Sequence, residues 1–503
     1  DFVRSLYQVN CQAGVDYMEF GYKASKKIFS PEQFGKWKFC DDEDIRAIVG
    51  ENQNGPKISV MADVGRCDYQ EDIRPAAESP IDMIRVATYI ETIPEAIAMI
   101  QDAYDKGYEV TCNLMALSQC QQDEVKIALD LLAQTPISAM YVVDSFGSLY
   151  PEEILRLVDF FDGIMAPAGK RLGIHAHNNQ QCAFANTIEA LSVGVSYLDA
   201  TVCGMGRGAG NLNLELFAEY MNENYDTKYR IEPMLEIMDE YLNDIYKSKF
   251  WGYSLPLYLS ASLGCHPNYA IYLAEKDSLT EKSFRELLRG IPDRDKASFS
   301  KEKAERYYRE YQENFCDDRA ALSALAERLE GKEVLILAPG KSVAEHYDTV
   351  LEVARRPEVA VIAVNFTGDG FPVDYVFSSN MRRYRKIQGK TKIPCITTSN
   401  MKECYHSDYT VNFASFASDK PEIIDNSGLM ALHLLTAIGV KKVFLAGMDG
   451  YSAVRSQDYI DRNLEYDFSA EAAQRNGMIS DELANIGKQI ELRFVTPTFY
   501  TAG

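Results

Sequence analysis

Over about the first 220 residues one pattern repeats. A short run rich in Val, Ile and Met ends in polar residues, and an amphipathic helical stretch follows. The runs are VDYMEFGY from Val15, KISVMADV from Lys57, MIRVATYI from Met83, EVTCNLMAL from Glu109, AMYVVDSF from Ala139, RLGIHAHN from Arg171 and YLDATVCG from Tyr197. Stretches such as IPEAIAMIQDAYDKG and PEEILRLVDFFDGI separate them. Near-continuous apolar strands alternating with helices predict a parallel sheet whose outer face the helices cover. A recurrence of about 25–30 residues fits consecutive βα units.

The runs number seven, whereas a closed (β/α)₈ TIM barrel has eight strands. Ahead of the first run, DFVRSLYQVNCQAG reads as a helix stopped by Gly14. The expectation is therefore an α/β barrel over residues 1–225 whose first strand lies upstream of Asp1. From 226 to 325 the pattern turns helical and rich in Tyr and charge (MLEIMDEYLNDIYKSKFWGY, SKEKAERYYREYQENF) and predicts a helical appendage. From 326 to 503, EVLILAPGKSV, VAVIAVN, VDYVFSS, KIPCITTS, YTVNFAS and KKVFLAGMD read as strands, with SGLMALHLLTAIGV a helix between the last two. That pattern predicts an open doubly wound, Rossmann-like sheet.

The charge balance narrows the partners. Fifty-two basic against 74 acidic residues leave a net charge of −22. Phosphate backbones and anionic lipid need dense Lys and Arg, so neither nucleic acid nor a membrane is an expected partner. No run is long and apolar enough for a transmembrane helix. The 11 Cys form no CxxC pair, and several lie in apolar runs, which reads as reduced thiols in a cytoplasmic protein. Association with further copies of the chain is left open.

Polar residues gather where the strands of the first part end. His175 and His177 stand two apart at the end of a strand, so both face one way, and paired imidazoles suit a divalent metal or a hydrogen-bonded structural pair. Glu19, Asp144, Ser145, Asp199 and Thr201 also lie at or near strand ends, where barrel enzymes carry their chemistry. GMGRGAGN, Gly204 to Asn211, is a glycine-rich βα loop in which Arg207 could meet a carboxylate or phosphate.

The stretch GIHAHNNQQCAFANTIEALSVGVSYLDATVCGMGRGAGNLNLE resembles the pyruvate carboxyltransferase-like metallolyases called DRE-TIM enzymes. These include 3-hydroxy-3-methylglutaryl-CoA lyase, isopropylmalate synthase and 4-hydroxy-2-oxovalerate aldolase, and the resemblance leans to the aldolase branch. It implies His175 and His177 as metal ligands and Asn211 at or beside the metal. It implies Asp144 and Ser145 on the substrate side and Glu19 near a catalytic Arg. That Arg and a third ligand are expected on an Arg-Asp motif of the upstream strand. The implied cofactor is Mn²⁺ or Mg²⁺. The implied substrate is a 4-hydroxy-2-oxo acid, with a sugar-derived one among the options, joined or cleaved between pyruvate enolate and an aldehyde. The general base is unassigned; Tyr253, Tyr258 and His266 lie in the helical part and are candidates, but a packing or surface role is the better reading of each. A Claisen condensation with an acyl-CoA, or a barrel that only binds, are the alternatives.

In the C-terminal part, VLILAPGKSV meets neither GxxxxGK[ST] nor GxGxxG. Together with VNFTGDGFPVDYVFSSN and SGLMALHLLTAIGVKKVFLAGMDG it resembles a Rossmann-like family that includes archaeal-type 6-hydroxymethylpterin diphosphokinases and bacterial sialyltransferase-like proteins. The resemblance implies a nucleotide or nucleotide-sugar site around Gly340, Lys341, Ser342, Asn365 and Ser427, with Asp449 facing it, and allows a glycosyl or phosphoryl transfer there.

Overall fold

The computed structural model describes residues 1–52, 54–276, 278–404, 406–454, 458–461, 464 and 466–500. The chain divides into two compact units, one of residues 1–271 and 292–299, the other of 272–291 and 300–503. The helical segment 226–325 is thus shared out between the two rather than forming a body of its own.

In the first unit each apolar run is a strand: β1 Tyr17–Tyr22, β2 Lys57–Asp63, β3 Met83–Thr88, β4 Glu109–Leu114, β5 Ala139–Asp144, β6 Arg171–Ala176 and β7 Tyr197–Leu198. They form one parallel sheet in sequential order. Sequential parallel order requires a helix to carry the chain back after each strand. Helices such as Ile93–Asp105, Pro151–Met165 and Ala183–Ser192 do so, burying Ile100, Phe161 and Ala190 against the sheet. The sheet curls into a barrel-like surface. Tyr17, opening β1, and Tyr197, opening β7, have ring centroids 5.9 Å apart. Both hydroxyls donate to the Glu109 carboxylate at the start of β4, at 2.9 and 2.8 Å, and Lys57 pairs with it from β2 at 3.1 Å. A polar network therefore closes the N-terminal end of the curl, above which Met83, Tyr141 and Val143 pack inside it. The predicted opening helix is Phe2–Ala13, and Gly14 ends it in the left-handed conformation.

In the second unit the strands are β8 Glu333–Leu337, β9 Val359–Val364, β10 Tyr375–Ser378, β11 Cys395–Thr398, β12 Tyr409–Val411, β13 Lys442–Ala446 and β14 Glu491–Phe494. All are parallel, in the order β12-β11-β10-β9-β8-β13-β14. The chain builds outward from β8 to β12 and then returns to the other side of β8. The β8/β13 junction is a topological switch point, the place where open α/β sheets leave a crevice at their strand C-termini. Six of these strands match the sequence reading, and β14 does not. It is an edge strand whose Glu491 and Arg493 are exposed, so it carries no apolar run. The predicted helix is Ser427–Ala437, buried nearly all round. Among the described residues no strand falls between 226 and 325, and no helix is long and apolar enough to cross a membrane.

Candidate active site

The middles of β1 and β3, the C-terminal end of β6 and the residue just past β7 converge on one buried cation, so Glu19 stands within its strand rather than at its end. Arg85 is inward-facing on β3 and 6% exposed. Its Nη1 pairs with Glu19 Oε2 on β1 at 2.9 Å, and its Nη2 pairs with the Asp199 carboxylate just past β7. The guanidinium lies over the Tyr141 ring at 4.5 Å, a cation–π contact that also walls it off from water. A guanidinium stays charged when buried, so it can hold two carboxylates inside a barrel as a Lys could not. The two carboxylates answer differently. Burial pushes Asp199 up, but Arg85 and His175 outweigh burial and hold it at about 2. For Glu19 burial outweighs the pull of Arg85, and its carboxyl titrates above the usual range.

Asp199 also fixes the first histidine. His175 Nδ1 lies 2.9 Å from Asp199 Oδ2. Because Asp199 is ionised and accepts only, Nδ1 carries the proton and Nε2 is left with its lone pair. The His177 ring is 5.1 Å from that of His175, centroid to centroid and nearly perpendicular. Burial, with Arg207 nearby, pushes His177 well below the ordinary histidine range, so it is a neutral imidazole. A carboxylate-oriented histidine beside a second neutral one is the donor chemistry that divalent cations take.

The glycine-rich loop supplies a third donor. His177 and Asn211 face each other as an antiparallel bridge, and Asn178 N–H donates to Gly210 O at 2.8 Å. Gly210 sits at φ +87° where a Cβ would overlap the Gly204 carbonyl oxygen, so only glycine lets the loop fold back so tightly. Asn211 Nδ2 reaches Met205 O at 3.3 Å, while its buried Oδ1 has no partner among the described residues. That orphaned oxygen with two imidazoles suits a divalent cation in donor chemistry. Among the described residues no group of three or more His, Cys, Asp or Glu offers a self-sufficient metal cage.

The remaining expected residues frame the mouth. Asp144, ending β5, accepts from Ser148 N at 2.9 Å and Leu149 N at 3.1 Å, and burial outweighs these bonds to raise it to about 7. Ser145 Oγ accepts from Ala116 N at 3.0 Å, and its carbonyl accepts from Arg207 Nη2, also at 3.0 Å. Arg207 thus ties the glycine-rich loop to the end of β5.

Tyr253 and Tyr258 are exposed. His266 packs between Phe146 and Phe299, and its Nδ1 accepts from Asn268 N at 3.1 Å. Burial and then Arg207 lower it from 6.5 to about 4, so it is a weak base at neutral pH. Between those two values the unfolded chain binds the extra proton, so this residue makes stability fall as pH drops from about 6.5 to about 4. Replacement by Asn, which keeps an acceptor, is expected to flatten that acid limb. Thermal melts from pH 7 to 4 check this, and parallel curves for the two proteins would refute it.

Arg85 is the residue that sequence reasoning missed. A charged residue stands inside the otherwise apolar run MIRVAT. A charge in a strand buried on both faces has to be paired. Thr111 and Asn113, facing inward on β4, were missed too. Thr111 Oγ1 and both amide atoms of Asn113 are buried without a partner among the described residues.

In the second unit a cavity opens at the β8/β13 switch point, lined by Gly340, Asn365, Ser427 and Asp449 among others. Asn365 Nδ2 donates to Ser427 Oγ at 2.7 Å. A Cβ on Gly340 would overlap the Gly447 carbonyl oxygen, so glycine is required where the two loops meet. Lys341 and Ser342 do not join them. Lys341 Nζ pairs with Glu345 at 3.2 Å. Ser342 N donates to Asp449 Oδ2 at 2.8 Å, and its hydroxyl donates to the other carboxylate oxygen.

The fold and site of the first unit define a class: a parallel α/β barrel-type sheet enclosing a cluster of imidazole, carboxylate and guanidinium groups. Residues 8–239 match the HMGL-like family model. Oxaloacetate decarboxylase of Mycobacterium tuberculosis is 29% identical over 219 residues, 43% of this chain and 62% of that protein. 4-Hydroxy-2-oxovalerate aldolase of Bacillus cereus is 28% identical over 238 residues, 47% of this chain and 68% of that protein. The solved hydroxymethylglutaryl-CoA lyase of Pseudomonas aeruginosa shares 16% identity over 49% of this chain and 86% of its own, with a TM-score of 0.40. The chain therefore spans about three-fifths of the length of the first of these relatives.

Proposed function

We propose that the first unit is a divalent-metal-dependent carbon–carbon lyase acting on a 4-hydroxy-2-oxo acid, releasing or adding pyruvate as its enolate. The observation that carries the reading is His175, held by Asp199 with Nε2 left as a donor, beside neutral His177 and the orphaned Asn211 Oδ1. The HMGL-like match supports it, and so do the names of two relatives, both of which act on 2-oxo acids. His175, His177 and Asn211 would hold Mn²⁺ or Mg²⁺, which supplies a Lewis acid for the negative charge that grows as the bond breaks. Arg85 keeps Asp199 ionised and so holds the proton on His175 Nδ1. Arg207 and Ser145 close the mouth on the substrate side. The unpartnered Asn113 amide and Thr111 hydroxyl leave polar groups inside the barrel for substrate.

The test is the product pair. The full chain with Mn²⁺ is offered 4-hydroxy-2-oxo acids of increasing length, and oxaloacetate, with products followed by NMR. One pyruvate per aldehyde supports the aldolase; pyruvate from oxaloacetate alone makes it a decarboxylase; neither product removes the reading. Asn113→Val should leave stability unchanged or raise it by about 1 kcal/mol, since it removes an unsatisfied amide. It should also weaken substrate binding, so a KM equal to wild type would count against an inward substrate contact.

For the second unit we propose a nucleotide or nucleotide-sugar site in the switch-point cavity, at Gly340, Asn365 and Ser427. Its support is the position of that cavity, at the crevice where open α/β sheets take their ligands.

A further inference from the structure

The second-unit cavity carries two opposite, unmatched groups. Arg383 is 4% exposed and lines the cavity. Its guanidinium is held over the rings of Tyr466 and Tyr459, 4.4 and 5.1 Å from their centroids, and its buried Nη1 has no hydrogen-bond partner among the described residues. Asp425 also lines the cavity. Its Oδ2 accepts from Tyr308 Oη and, at 3.1 Å, from Ser278 Oγ, while its buried Oδ1 has no partner among the described residues. Leaving either group unmatched in a folded protein is costly, the more so when it is charged.

The helix Ser427–Ala437 starts in the lining of the same cavity. Its cap, Asn426, satisfies the Leu429 N–H at 3.0 Å. The first amides of a helix have no partner inside it, and with the helix dipole they favour an anion. Asn426, Ser427 and Gly428 all line the cavity. The turn after β8 is differently placed. There the Asp449 carboxylate already takes the Ser342 amide and hydroxyl, so a negative group is built in where a nucleotide-type turn would receive a phosphate.

Resting on the nucleotide reading of this cavity, we infer that its ligand is a phosphate ester of a hydroxyl-bearing sugar. The phosphate is held by Arg383 and the start of the 427–437 helix rather than by the Gly340–Ser342 turn, and a sugar hydroxyl donates to Asp425. An anion satisfies Nη1 and the helix amides. A neutral hydroxyl satisfies Oδ1 without bringing a second negative charge to it. The Tyr459 and Tyr466 rings, which hold Arg383, offer apolar surface to a sugar or base.

Titration calorimetry on the full chain tests this, with glucose, glucose 1-phosphate, UDP, UDP-glucose and inorganic phosphate as probes. Glucose 1-phosphate and UDP-glucose are expected to bind and glucose is not; comparing UDP with glucose 1-phosphate shows which part of a nucleotide sugar supplies the phosphate. Arg383→Gln should weaken every phosphate-bearing probe by about tenfold or more, and Asp425→Asn should weaken the sugar phosphates but not inorganic phosphate. Lys341→Ala should change nothing. If Arg383→Gln gives no cooperative melt, Arg383→Lys replaces it, and loss of the fork should still weaken binding several-fold. Unchanged affinity in the folded Arg383 variant, with weakened binding in Ser342→Ala, overturns the inference and leaves the nucleotide reading standing. Failure of every phosphate-bearing probe to bind the wild type overturns both.

Discussion

Arg85→Met is expected to cost about 3–5 kcal/mol of stability and to abolish turnover. The substitution nearly keeps volume, so the loss is electrostatic. It strands Glu19 on one side and Asp199 on the other, both paired with this one buried guanidinium. Asp199 would lose the charge that holds it low and would titrate higher. The loss then has a pH signature. A stranded carboxylate whose folded-state pKa lies above its unfolded value binds a proton more tightly when folded, so the variant regains stability as pH falls. Denaturant melts at pH 8 and pH 5 should show the gap to wild type narrowing in acid. A gap that is constant, or below about 1 kcal/mol, would mean that the cluster is no linchpin of the barrel. Turnover falls in the same variant because an Asp199 carboxyl that takes up a proton no longer fixes the His175 tautomer.

His175→Ala and His177→Ala should show the opposite division: turnover down by roughly 10³-fold or more, stability changed by about 1 kcal/mol or less. Removing His177 takes away a half-buried imidazole that desolvation keeps neutral. Its loss therefore costs packing but strands no charge. Asp199→Asn belongs between the classes, with metal affinity down about 10–100-fold because the ligand is still present but no longer oriented. If the histidine variants unfold as Arg85→Met does, the pair is structural and the metal reading fails.

Most strands of the first unit were legible because they are buried on both faces and therefore read as near-continuous apolar runs; β3 and β5 are buried at every position. β14 was not, because an edge strand needs no apolar alternation. His175 and His177 stood out by spacing, and the structure places their rings side by side. What spacing could not give was the partner set. Arg85 joins Glu19 and Asp199 across 66 and 114 residues of sequence, a meeting that only the curl of the sheet creates. The apolar-run criterion that found β3 also concealed the one charge inside it. Lys341 and Ser342 show the converse: a turn that looks built for phosphate is occupied by Asp449, more than a hundred residues further along the chain.

The central claim is that the strand C-termini of the first unit bind a divalent cation and use it on a 2-oxo acid. The most direct measurement strips the full chain with chelator, restores Mn²⁺, and couples pyruvate formation from 4-hydroxy-2-oxo acids to a dehydrogenase, beside His175→Ala and His177→Ala. The account predicts pyruvate that disappears with the chelator, returns with Mn²⁺ and is absent in both variants. Pyruvate formation indifferent to chelator or to either histidine, or none at all with Mn²⁺ bound, would contradict it.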